Sequence, residues 1–175
     1  MALRLFHFTA RIYLPVIMSD GIRWGDVPLS AKTRRNAVWL TSLHGRHKQQ
    51  WIGGTKKTIL DKSEIRLTVE IPSVNDPLLF KWVDFAKVHV DPQTFKELDQ
   101  TGGGWSDHWY VYFGIIPWNW VVEGREMEYH EDLDLVEMPP TEVIEASRVV
   151  FQKSQEIMEA EYKKLGISEL KTPFP

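Results

Sequence analysis

The sequence predicts an α+β fold, and three observations carry that prediction. Residues 64–72, "EIRLTVEIP", alternate strictly, with Ile65, Leu67, Val69 and Ile71 on one face and Glu64, Arg66, Thr68 and Glu70 on the other. That is the pattern of a strand with one buried face. Residues 141–166 keep a helical period through Val143, Ile144, Val150, Phe151, Ile157 and Met158, so one long helix comes late in the chain. Between and before these lie short apolar runs with a single early helix and no internal repeat.

Each element has a local reason. "LRLFHFT", residues 3–9, alternates enough for a strand. "ARIYLPVIMSDG" follows as a short helix, with Leu14, Ile17 and Met18 on one face, Pro15 in the first turn and Gly21 as its stop. "SAKTRRN" reads as a polar, basic loop and "NAVWLTS", residues 36–42, as a second strand. After Pro72 closes residues 64–72, "DPLLFKWVDFAKV" and "DPQTFKELDQ" read as two helices. "TGGGWSD", residues 101–107, is a loop. "HWYVYFGII" is a strand, Pro117 a turn and "WNWVVEG" another strand. Residues 123–140 are acidic and irregular, with strand character near Asp134 to Glu137. The last helix takes Thr141 as its N-cap after two prolines, carries lysines in its last turn and stops at Gly166. Residues 1–138 therefore form the body, 139–166 a helix packed on it and 167–175 a tail.

Composition bounds the function. A chain of 175 residues makes one domain burying about two thirds of its unfolded surface. The absence of cysteine excludes disulfides, thiolate zinc sites and a cysteine nucleophile; it fits a reducing compartment, with cytoplasm the default. The first residues show no basic segment followed by a long apolar core, and no apolar run approaches the roughly 18 residues of a membrane span, so neither classical export nor a membrane is expected. A formal net charge of -3 argues against a surface that coats nucleic acid, although residues 32–57 are locally basic and could meet phosphates. Eight tryptophans are many for this length, and Trp105, Trp109, Trp118 and Trp120 crowd one segment. They read either as a large core or as a stacking wall for a planar ligand.

The chemistry-bearing stretch is "HFT", residues 7–9. Side chains two apart on a strand share a face, so His7 and Thr9 can meet one ligand while Phe6 and Phe8 point to the other side. An imidazole and a threonine hydroxyl can both hydrogen-bond a ribose. The competing structural reading has His7 bonding a neighbouring backbone group. In "VWLTS", Trp39 and Thr41 share a face by the same rule.

A strand ending in "HFT", a helix ending in "DG", a loop and a strand reading "VWLTS" together resemble the opening of the ADP-ribosyltransferase-like fold. The branch resembled contains the DarT-type DNA-modifying toxins and the RNA 2′-phosphotransferases. The resemblance covers residues 3–42, with weaker likeness in "IRLTVEIP" and "WYVYFGIIPWNWVV". It implies two small antiparallel or mixed sheets forming a cleft, with NAD as substrate. It implies contacts to NAD from His7, Phe8, Thr9, Trp39, Thr41 and Trp109, and catalytic roles for His7, Asp107 and Arg66. The reaction implied is cleavage of the nicotinamide glycosidic bond and transfer of ADP-ribose to a nucleic-acid or protein acceptor.

One departure from the family pattern bears on activity. Its glutamate position falls on Trp109 or, with a shift of two, on Asp107, and only the aspartate can stabilise an oxocarbenium-like transition state. Arg66 is the candidate phosphate ligand, by guanidinium geometry, or else a solvated arginine beside Glu64 or Glu70. The missing glutamate supports an alternative, an inactive binding or inhibitor module, and an apolar stripe on the last helix makes a homodimer plausible.

Other motifs are weaker. His44 and His47 lie three apart without an accompanying metal framework, and "EYHEDLD" lacks calcium-loop spacing. The glycines at 53–54 and 102–104 lack the lysine and hydroxyl residue of a phosphate loop, and no G-x-S-x-G elbow occurs.

Overall fold

A computed structural model of the chain describes residues 1–46, 60–101 and 103–171. His47, Gly53, Gly54, Gly102, the distal part of the basic stretch and the end of the tail lie outside the described residues. Nine strands and four α-helices are defined among them. In chain order they are β1 Leu3–Thr9, α1 Leu14–Asp20, β2 Asp26–Ser30, β3 Thr33–Asn36, β4 Val38–Thr41, β5 Ile65–Ile71, β6 Leu79–Lys81, α2 Trp82–His89, α3 Pro92–Thr101, β7 Trp109–Tyr112, β8 Val121–Glu126, α4 Thr141–Leu165 and β9 Ser168–Glu169. The class is α+β. A six-stranded sheet runs β6-β7-β4-β1-β5-β8, and a three-stranded sheet runs β2-β3-β9. Every neighbour pair in the large sheet is antiparallel.

The strict alternation of β5 makes it the spine. Ile65, Leu67, Val69 and Ile71 are fully buried with Leu5 of β1 and Val38 and Leu40 of β4. Val16 and Ile17 of α1 join this core, and Val150 and Phe151 of α4 pack against it. The opposite face is covered over β4, β7 and β6 by α2, where Trp82, Phe85 and Ala86 pack on Trp109 and Val111. Two cores thus lie on the two sides of one sheet.

Helix α4 is largely exposed and is tied down by polar contacts through its first half and at its C-terminal end. Ser147 donates to Ile12 O at 2.6 Å and accepts from Val16 N–H at 3.2 Å, Tyr13 donates to Ser154 at 2.7 Å, and Arg148 meets Asp20 at 2.8 Å. At the far end Tyr162 donates to Asp26 at 2.7 Å and Lys32 to Leu165 O at 2.7 Å. Gly166 ends the helix in the left-handed region at φ 66°, as expected of a glycine stop. None of the helices described is long and apolar enough to cross a membrane.

Five local expectations change. The basic loop is a hairpin, β2 with β3, because the inward side chain of β3 is an arginine whose charge is matched: Arg34 is 3% exposed, bound to Asp26 at 2.6 Å and Glu159, over the Tyr162 ring. The start of the first expected α2 segment is a strand, β6. Residues 134–137 form no strand; the local pairing is a single bridge from Arg125 to Asp132. Thr141 is the first helical residue and Pro140 holds the cap position without a side-chain bond. The tail contributes β9, whose Ser168 pairs in parallel with Thr33.

Candidate functional site

A cleft of about 260 Å³ opens where the end of β1 meets α1, the segment after Gly21, residues 60–62 and the middle of α4. Gly21 is what lets the chain turn there. Its φ is +79°, and a Cβ would stand 2.6 Å from Ile116 O, so a side chain is excluded by conformation and by space. The turn, held by paired Ile22 and Ile116 hydrogen bonds of 2.9 Å, carries Arg23 and Trp24 to the cleft wall.

His7 and Thr9 lie together in the cleft, as their spacing requires. The His7 Nδ1 sits 3.0 Å from the Trp39 carbonyl oxygen. A carbonyl only accepts, so Nδ1 carries the proton and Nε2 is left as an acceptor. Burial pushes the His7 pKa down to about 4; the Trp39 bond works against this, and the charge of Lys62 adds to it. The ring is therefore neutral at physiological pH.

Three other side chains shape the cleft. Trp24 stands edge-on to Phe151, with ring centroids 6.0 Å apart. Arg23 lies 5.9 Å over the same phenyl ring and bridges to Asp20 at 3.0 Å. Asp20 also binds Arg148, whose hydrogen bond is the main reason the Asp20 carboxyl is held below the usual carboxylate range. Lys62 also lines the cleft and takes part in no ion pair among the described residues. Among the described residues of the lining, the charged groups are Arg23 and Lys62, and none is a carboxylate.

The other residues expected in the site lie elsewhere, and strand register explains why. Directly paired residues share a sheet face. His7 pairs with Leu67, whereas Phe8 pairs with Arg66 and Phe6 with both Thr68 and Thr41; Thr41 in turn pairs with Trp109. Arg66, Thr41, Trp39 and Trp109 therefore occupy the face opposite His7 and Thr9. Phe8 alternates to that face too, while also bordering the cleft.

Their surroundings are structural. The Trp39 indole donates to Asp26 O at 2.8 Å and packs 4.8 Å from the Trp82 ring. Trp109 is 6% exposed, and Thr41 is buried, accepting from Leu43 N–H at 3.1 Å. Arg66 is neither a solvated arginine nor open to phosphate. It is buried, donates to Glu123 at 3.0 Å and to His44 O at 3.3 Å, and lies over Phe6. Asp107 is exposed, in the 3-10 turn before β7, 3.9 Å from Lys81.

Four features of the region were not singled out from the sequence: Arg23, Trp24, Lys62 and the Trp39 carbonyl. The first two follow Gly21 directly, so a glycine that turns the chain back toward the strand was the available signal. Lys62 has none. Glu123, the carboxylate gripped by Arg66 and Thr68, also went unmarked; it belongs to the face opposite the cleft. No protein family model, curated protein or solved structure matches this chain.

Proposed function

We propose that the cleft at His7 and Thr9 binds the nicotinamide and ribose end of NAD or of an ADP-ribose-bearing substrate, the role that the ADP-ribosyltransferase-like resemblance implies for this pair. One observation carries the reading: a histidine fixed as a neutral acceptor stands beside a threonine in a cleft whose charged lining groups are cations. The His7 Nε2 would accept from a ribose hydroxyl, Thr9 can donate or accept, Trp24 and Phe151 supply aromatic wall, and Arg23 and Lys62 favour the anionic part. On this reading the nicotinamide C–N bond breaks, nicotinamide leaves, and ADP-ribose passes to a nucleic-acid or protein acceptor.

A second reading has its own support. The lining described holds no carboxylate to stabilise an oxocarbenium-like transition state, which favours a non-catalytic nucleotide-binding or inhibitor module. NAD labelled in its adenylate half, incubated with the protein and with single-stranded DNA, RNA or lysate, separates the two. Label retained on a macromolecule and lost in His7→Ala supports the transferase. Binding without nicotinamide release supports the module. No binding of NAD or ADP-ribose removes both.

A further inference from the structure

Arg23 and Lys62 differ in one respect that bears on what the cleft accepts. The guanidinium of Arg23 is matched by Asp20 at 3.0 Å. Lys62 is exposed and lines the cleft without an ion-pair partner among the described residues. Its charge reaches His7 in a lining that, among the described residues, holds no carboxylate, and an ammonium so placed favours an anion with small, strongly accepting oxygens.

His7 places the complementary restriction. Its Nδ1–H is committed to the Trp39 carbonyl, so the nitrogen left over offers a lone pair. A phosphate or carboxylate oxygen there would meet lone pair with lone pair, whereas a hydroxyl would donate. The anion therefore belongs at Lys62 and a hydroxyl at His7. Both residues border one cleft of about 260 Å³, below the volume of roughly 300–1,000 Å³ usual for drug-sized ligands. A sugar phosphate carries a hydroxyl and an anion on one small ring.

We infer that Lys62 is a specificity-determining residue that selects a phosphorylated sugar, its phosphate on the Lys62 ammonium and a ring hydroxyl on His7 Nε2. The inference rests on the proposed cleft being the ligand site, but it does not require the ligand to be NAD.

Calorimetry on the full chain tests it with two matched pairs of probes, nicotinamide riboside against nicotinamide mononucleotide and ribose against ribose 5-phosphate. The phosphorylated member of each pair is expected to bind about tenfold tighter or more, the range for a hydrogen bond to a charged group. That ratio should fall toward one in Lys62→Ala and persist in Lys62→Arg, with Tm unchanged in both because the side chain is exposed. A phosphate preference undiminished in Lys62→Ala overturns the inference, as does equal binding of riboside and mononucleotide. If ribose 5-phosphate binds through Lys62 while nicotinamide mononucleotide, NAD and ADP-ribose do not, the NAD reading fails and the sugar-phosphate assignment stands. If neither phosphorylated probe binds, the assignment fails.

Discussion

His7 and Trp39 meet through the main chain: the imidazole Nδ1–H donates to the Trp39 carbonyl at 3.0 Å, while the indole of Trp39 points to the other side of the sheet and bonds Asp26 O. The same residue thus orients the candidate site with its backbone and fills the opposite core with its side chain. Trp39→Phe should separate the two roles. It keeps the carbonyl, so ligand affinity should hold, while losing the indole bond and some packing should lower unfolding free energy by about 1–3 kcal/mol. Urea titration and calorimetry on the one variant check both halves.

The depressed pKa of His7 makes stability depend on pH. The unfolded chain, with a histidine pKa near the ordinary 6.5, binds more protons than the folded chain wherever the folded value of about 4 keeps the ring neutral. Stability from this group is full above pH 6.5 and is lost as pH falls from there to about 4, by at most about 3 kcal/mol. In His7→Gln that part of the acid slope should disappear from unfolding curves taken between pH 7 and pH 4.

Arg34 should prove a structural arginine. Its guanidinium holds Asp26 at 2.6 Å and Glu159, and has Glu169 at 3.7 Å. Arg34→Ala leaves these carboxylates without their shared cation, and stability should fall by about 3–5 kcal/mol. A loss under 1 kcal/mol in urea unfolding would contradict that role.

Gly21→Ala tests the turn that forms the cleft wall. The positive φ and the 2.6 Å approach to Ile116 O should cost about 1–3 kcal/mol of stability. Because Arg23 and Trp24 ride on the same turn, ligand affinity should weaken as well, measurable by thermal denaturation with and without ligand.

How much of this was legible beforehand depended on the kind of signal. β5 was readable because its period reports a buried face directly, and Gly166 because its conformation excludes most other residues; the helical period of α4 marked the helix but not its packing, since Ser147 is its buried residue while Val143 and Ile157 of the apolar stripe are exposed. β3 was hidden because its inward residue is Arg34, whose burial depends on Asp26 and Glu159, the latter far along the chain. β9 spans two residues, too few for any period, and exists through its pairing with β3. The site was half legible for a related reason. Alternation says which residues of one strand share a face, so His7 and Thr9 could be grouped. It does not say which face of β4 is level with that face of β1, which only the Phe6 to Thr41 register decides. A carbonyl such as that of Trp39 leaves no trace in residue type at all.

Helix α4 has a consequence that reaches beyond its packing. It is one continuous rod of 25 residues, with Phe151 and Ile157 over the cleft and, just past its end, Ser168 N–H on Lys32 O at 2.8 Å and Leu170 N–H on Arg34 O at 2.9 Å. If a ligand in the cleft steadies α4, it steadies the docking of β9 with it, and thermodynamic reciprocity makes the effect run both ways. Ligand should slow hydrogen exchange at the Ser168 and Leu170 amides, and anything that peels those two amides away should loosen the ligand by the same factor.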